Sequence, residues 1–288
     1  MIQVSEEVRG AAAVVALETT LVAHGFPPGE GLAVAAESEQ RVRDAGAVPA
    51  TIGILDGEIR VGLSPAELER FDASARKAGP RDLAVCVAQR TVGATTVGGT
   101  LAVCRVAGIR FMGTGGIGGV HRGFPDPPDV SADLGELART PVLVVSAGIK
   151  SLLDVPATLE LLETLAVPVI GFRTGELPLF YSAGGGPSVP ARAESPEEVA
   201  RIARTHWDLG GAGLVLAQPP PHSLEDIEPL IEDALVEAGR RGVTGQAVTP
   251  FVLSFLHERS GGRTLAANRE LVVANAGLAA EVAVTAVQ

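Results

Sequence analysis

Short runs of β-branched and apolar residues alternate along this 288-residue chain with longer stretches of helical periodicity, separated by turn residues. That rhythm dictates an α/β fold, because such units bury their apolar faces when helices cover a mostly parallel sheet. The strand candidates are Ala13-Leu17, Thr51-Leu55, Ile109-Met112, Val142-Ser146, Val167-Phe172 and Leu214-Ala217. Asp56-Gly57, lying between Thr51-Leu55 and Glu58-Gly62, is a type I′ hairpin signal and makes the sheet mixed. Two helix starts combine a capping box with proline at the first helical position: Ser64-Pro65-Ala66-Glu67 and Ser195-Pro196-Glu197-Glu198. Further helices are expected over Gly29-Ala45, Pro156-Leu165, Leu224-Arg240, Pro250-Glu258 and Leu265-Ala280. The Gly/Pro-rich stretch Ser182-Pro190 is the best boundary candidate, but the rhythm resumes after it, so residues 1–288 read as one domain.

Composition narrows the function. A net charge of -11 argues against a nucleic-acid partner, since phosphate backbones are bound by clustered basic residues. The longest uninterrupted apolar run, Ala11 to Leu17, is far short of the roughly 20 residues of a membrane helix. The opening MIQVSEEVRG lacks the basic start of a signal peptide, so a soluble, cytoplasmic protein is expected. Cys86 and Cys104 fit neither a disulfide framework nor a zinc site and read as buried small hydrophobes. Of 23 basic residues, only Lys77 and Lys150 are lysine, and Asn268 and Asn275 are the only asparagines. The bland reading is a codon bias that swaps surface lysine for arginine, yet arginine cannot replace lysine where a deprotonatable amine is needed.

Several segments could carry chemistry. Gly113 to Gly123 contains a G-x-G-x-x-G pattern after a strand, but the following His121-Arg122-Gly123-Phe124-Pro125 cannot open the helix that a dinucleotide fingerprint requires. What remains is either a tight surface loop or a loop of backbone amides suited to an anion, with His121 and Arg122 as donors. Asp129, Ser131 and Asp133 are spaced either to hold a hard cation through oxygen or to begin an ordinary helix. Lys150 follows the strand Val142-Ser146 and so lies where open α/β sheets place their ligands. It is either a surface lysine or a phosphate partner or nucleophile. Glu18 closes the first strand as a partly buried proton donor or a strand-end charge. His24 is a ligand or a packed histidine, and His206, His222 and His257 read as structural.

Taken in order, VALETTLVAHGFP, AGAVPATIGILDGEIRVGLS, RDLAVCVAQRTVGATTV, GIRFMGTGGIGGVHRG, DVSADLGELA, SAGIKSLLD and TPFVLSFLHERSGGRTLAANRELVVANA resemble the pseudouridine-5′-phosphate glycosidase family, also called indigoidine-synthase-A-like. The resemblance runs from about Val14 to Ala276. It implies a three-layer α/β/α sandwich with a mixed, mostly parallel central sheet, assembled as a homotrimer. It also implies reversible cleavage of pseudouridine 5′-phosphate to uracil and ribose 5-phosphate, with Mn²⁺ as cofactor. Carried over by position, Glu18 is the proton donor, Lys150 the covalent nucleophile and Asp129 the metal ligand, with Asp126 a second candidate. Lys77 binds the substrate's phosphate end, Val97, Ser131, Ala132 and Asp133 contact substrate, and His121 and Asn268 match further active-site positions. The rivals are another lysine-dependent phosphosugar lyase or aldolase and a non-catalytic sugar-phosphate-binding module.

Overall fold

The computed structural model describes residues 2–125, 128–224 and 226–288. In chain order its strands are β1 (Ile2–Val4), β2 (Val14–Glu18), β3 (Val48–Leu55), β4 (Glu58–Val61), β5 (Arg76–Ala78), β6 (Gly93–Thr95) and β7 (Phe111–Gly113). After these come β8 (Val120–His121), β9 (Leu143–Ser146), β10 (Leu153–Asp154), β11 (Val169–Phe172), β12 (Ala191–Ala193) and β13 (Leu214–Ala217). The α-helices are α1 (Glu6–Arg9), α2 (Glu30–Asp44), α3 (Pro65–Leu68), α4 (Leu83–Gln89), α5 (Val97–Ala107) and α6 (Ala132–Leu137). The chain closes through α7 (Val155–Thr164), α8 (Pro196–Asp208), α9 (Glu228–Arg240), α10 (Val248–Arg259) and α11 (Arg263–Val287).

Along the main sheet the spatial order is β1, β4, β3, β2, β7, β9, β13, β11, β12, with β6 paired to β3 and β5 paired to β6. Every pairing in it is parallel except β3 with β4 and β3 with β6. The β3–β4 hairpin turns through Asp56 and Gly57 at φ 55° and 84°, the left-handed pair that a type I′ turn needs. The central strands are buried on both faces, as parallel strands between two helical layers must be. Alternation divides their side chains: Val15 and Leu17 join one core with Val42, Val199 and Ala280 from α2, α8 and α11, while Ala16 joins another with Leu101 and Ile231 from α5 and α9. The expected α/β/α sandwich with a mixed, mostly parallel sheet is the fold observed.

Helix α11 is long and apolar enough to cross a membrane, yet here it is a core helix lying on the sheet. It approaches β7 so closely that a Cβ at Gly113 would lie 2.7 Å from Cα of Ala276, which only glycine permits. At Ser64 the capping box is complete. At Ser195 only half of it forms: the serine accepts from the Glu198 amide, but the Glu198 carboxylate accepts from the amide of Glu194 instead. The helix expected from Leu224 starts at Glu228, because Pro229 suits a first turn and the Leu224 amide is committed to Tyr181 O at 2.7 Å.

Candidate active site

Three adjacent parallel strands, β2, β7 and β9, end at Glu18, Gly113 and Ser146. A cavity of about 880 Å³ opens beyond these ends, in the crevice where such sheets bind ligands. Glu18, Lys77, Val97, His121, Asp129, Ser131, Ala132, Asp133 and Lys150 all line it, so nine positions from five distant stretches of sequence share one wall. Asn268 does not: it is buried in α11 with its amide oxygen lacking a protein partner. Asp126 lies outside the described residues.

Glu18 is 5% exposed, and its Oε1 accepts a hydrogen bond from Thr114 Oγ1 at 2.5 Å. Burial pushes its pKa upward, opposed by the Lys150 ammonium, the Thr114 hydroxyl and Lys77, and reinforced by Asp133. The net direction is up, as a proton donor requires. Lys77 extends from the short edge strand β5; burial first and then the like charge of Lys150 bring its pKa down to about 8.

Lys150 ends a loop stitched to the glycine-rich segment: Ala147 N donates to Gly115 O, Ile117 N to Gly148 O and Lys150 N to Ile117 O, at 2.8, 3.1 and 3.2 Å. Gly148 sits at φ 80°, and a Cβ there would lie 2.1 Å from Pro178 O, so this loop cannot be built with another residue. The glycine segment is buried rather than a surface loop, and five of its amides are already spent on protein acceptors. Residues 113–120 are buried, and the amides of Thr114, Ile117, Gly118, Val120 and His121 donate to Val145 O, Gly148 O, Asp133 Oδ2, Thr158 Oγ1 and Asp129 O. Arg122 likewise gives its guanidinium to Ser151 O, Leu153 O and Glu228, bracing the lysine loop.

The spaced trio Asp129, Ser131 and Asp133 does not converge on a cation either. Ser131 caps α6, and Asp133 spends one oxygen on the Gly98 amide at 2.7 Å and the other on the Gly118 amide at 2.8 Å. Asp133 therefore ties the start of α5 to the glycine segment and places Val97 on the wall. Asp129 keeps its carboxylate at the cavity, with Oδ2 3.8 Å from His121 Nδ1. Among the described residues no three His, Cys, Asp or Glu side chains gather as a ligand set. A hard divalent ion that keeps most of its waters fits such a two-residue corner, whereas a structural zinc site does not.

His24 is a packed histidine on the wall, its Nε2 hydrogen-bonded to Ala75 O at 2.9 Å. His206, His222 and His257 lie away from the cavity wall, and both cysteines are buried. Sequence reasoning missed Thr114, the direct partner of Glu18; its only signal was a hydroxyl set among glycines one residue past a strand.

Fold and site together define an α/β enzyme that confronts a buried carboxyl group with two lysines in a cavity beyond the carboxyl ends of β2, β7 and β9. The model of the indigoidine synthase A like protein family matches residues 3–285, and the chain belongs to that family. It is similar to the pseudouridine-5′-phosphate glycosidase of Petrotoga mobilis, 48% identical over 277 residues covering 94% of this chain and 90% of that one. It is likewise 48% identical to the enzyme of that name from Geobacillus kaustophilus, covering 97% and 96% of the two chains. Among solved structures, an indigoidine synthase A-like protein from Thermotoga maritima superposes with a TM-score of 0.91 at 40% identity, covering 100% of this chain and 97% of the other. Prealnumycin C-glycosynthase AlnA in complex with ribulose 5-phosphate gives 0.89 at 38% identity with the same coverage.

Proposed function

We propose that this chain cleaves and re-forms the carbon-carbon glycosidic bond of pseudouridine 5′-phosphate, exchanging it with uracil and ribose 5-phosphate. The observation that carries the reading is the placement of Glu18 and Lys150 on one wall, with burial holding the acid toward its protonated form. The names of the relatives support the substrate, and the ribulose 5-phosphate bound by AlnA supports a phosphosugar at such a site.

A base joined to C1′ through carbon has no heteroatom to protonate as leaving group, so the two-carboxylate route of ordinary glycosidases is closed. A lysine amine opens another route. As the N1 lone pair of the base pushes electrons toward C5, the C1′–O4′ bond breaks, O4′ takes up a proton and C1′ becomes doubly bonded to C5. The neutral amine of Lys150 then adds to C1′ and loses a proton, and Glu18 delivers a proton to C5 as the C1′–C5 bond breaks. Uracil leaves, the nitrogen lone pair forms an iminium with C1′, and water hydrolyses it to ribose 5-phosphate and free Lys150. A guanidinium cannot take this part. Asp129, with His121 beside it, would hold the Mn²⁺ that the family resemblance implies. When bound, such an ion orients substrate oxygens and offsets their negative charge. Lys77 would hold the phosphate, so that binding energy remote from the reacting carbon positions it. The resemblance also implies a homotrimer.

The reading is tested by release of uracil from pseudouridine 5′-phosphate. Uracil release supports it, whereas aldol cleavage of a phosphosugar without uracil release points to the aldolase rival. Chelation is expected to remove the activity and Mn²⁺ to restore it, while Asp129→Ala stays inactive at metal concentrations that restore the parent. Lys77→Ala should raise KM for the phosphorylated substrate by at least about 30-fold, because truncating one member of a buried charge pair leaves the other unpaired. For the parent enzyme, kcat/KM should fall as pH rises through about 8, where Lys77 loses the proton that attracts the phosphate. A flat profile across that range would remove Lys77 from the phosphate site.

A further inference from the structure

We propose that Asn275 is a positioning residue for the acid, pinning the turn after β7 so that the Thr114 hydroxyl is aimed at the Glu18 carboxyl. The inference rests on the proposed role of Glu18 as proton donor. Asn275 Nδ2 donates to Thr114 O at 2.8 Å and to Gly115 O at 3.3 Å, and Thr114 Oγ1 donates to Glu18 Oε1 at 2.5 Å. The three residues belong to α11, the turn after β7 and the end of β2, and are 1%, 1% and 5% exposed. The other side of the turn is held by β9, where Thr114 N donates to Val145 O at 3.0 Å.

That arrangement leaves Thr114 little freedom. Its amide is fixed by the sheet, its carbonyl by α11, and its hydroxyl is left to reach the carboxyl. Close contact between α11 and Gly113 brings Asn275 within reach of both carbonyls. In a chain with two asparagines, one is committed to this turn. The groups facing Glu18 are Lys150 from the loop after β9, Lys77 from β5, Asp133 from α6 and Thr114 itself. The Thr114 hydroxyl donates to the ionised carboxylate and so favours it. Losing that bond leaves the acid protonated to higher pH.

The test is the pH dependence of kcat for uracil release, which reports the substrate complex and so avoids the titration of Lys77 in the free enzyme. Thr114→Val should move the alkaline limb upward by about one pH unit, and Thr114→Ser should leave it in place. Asn275→Leu should move the limb in the same direction, with kcat about 10- to 100-fold lower and KM within about threefold, the pattern expected when a reacting group is misplaced rather than binding lost. The double variant Thr114→Val with Asn275→Leu should titrate like Thr114→Val alone, because Asn275 acts through Thr114. If Asn275→Leu does not fold, Asn275→Ser, too short to reach the carbonyls, carries the same expectation. An unmoved limb in Thr114→Val, or an Asn275 variant with the parent's limb and an additive loss of kcat, overturns the proposal. Full activity in Glu18→Gln would instead overturn the acid role on which it rests.

Discussion

Lys150→Arg is expected to lower the turnover of pseudouridine 5′-phosphate by about 10⁴-fold or more, while the substrate still binds within about threefold of the parent. The size of the loss follows from the proposed role, in which Lys150 supplies the amine that bonds to C1′. Arginine keeps the positive charge beside Glu18 and Lys77, so electrostatic contributions to binding survive. It cannot supply a neutral amine to C1′, so bond formation does not. Single-turnover rates and titration calorimetry with the same variant separate the two quantities. Turnover near the parent's would exclude the covalent role, and loss of binding without loss of rate would reassign Lys150 to the phosphate.

Glu18→Gln is expected to cost about 10²- to 10⁴-fold in kcat, the range of a positioned proton donor. The same variant carries a stability signature. Burial raises the folded-state pKa of Glu18 above its ordinary value of 4.5, so ionising it works against the fold. The parent therefore loses stability as pH rises through the raised pKa, and a neutral glutamine does not. Glu18→Gln should melt at a higher temperature than the parent at neutral and alkaline pH, with the gap closing below pH 4.5, where the carboxyl is protonated whether folded or not. Measuring melting temperature against pH for both proteins checks the sign. A variant that is slower yet also less stable at high pH would mean that Glu18 is held as a structural carboxylate.

Periodicity and turn chemistry made the central strands and the β3–β4 hairpin legible, because strands buried on both faces read as continuous apolar runs and Asp-Gly admits φ above zero at both positions. Helix α5 was not legible. Its VGGTLAVCRVA has two glycines and several β-branched residues, so burial and the Thr96 cap form it against its propensity. The short strands β5, β6, β8 and β10 carry only two or three residues each, too few for an alternation to register. At the site, position after a strand drew attention to Glu18 and Lys150, and both line the cavity. Sequence alone could not tell that the glycine segment turns its amides inward, because whether an amide is free depends on partners far along the chain, such as Asp133 and Thr158. Nor could it tell that Thr114 and Asn275, 161 residues apart, are hydrogen-bonded.

The two-lysine composition makes the central claim open to a direct measurement. The enzyme is incubated with ribose 5-phosphate, treated with borohydride to reduce any imine, digested and mapped by mass. A reduced ribose 5-phosphate adduct on Lys150, absent from Lys77 and from Lys150→Arg, is the predicted result. An adduct confined to Lys77, or none in an enzyme that turns over in the same solution, would contradict it.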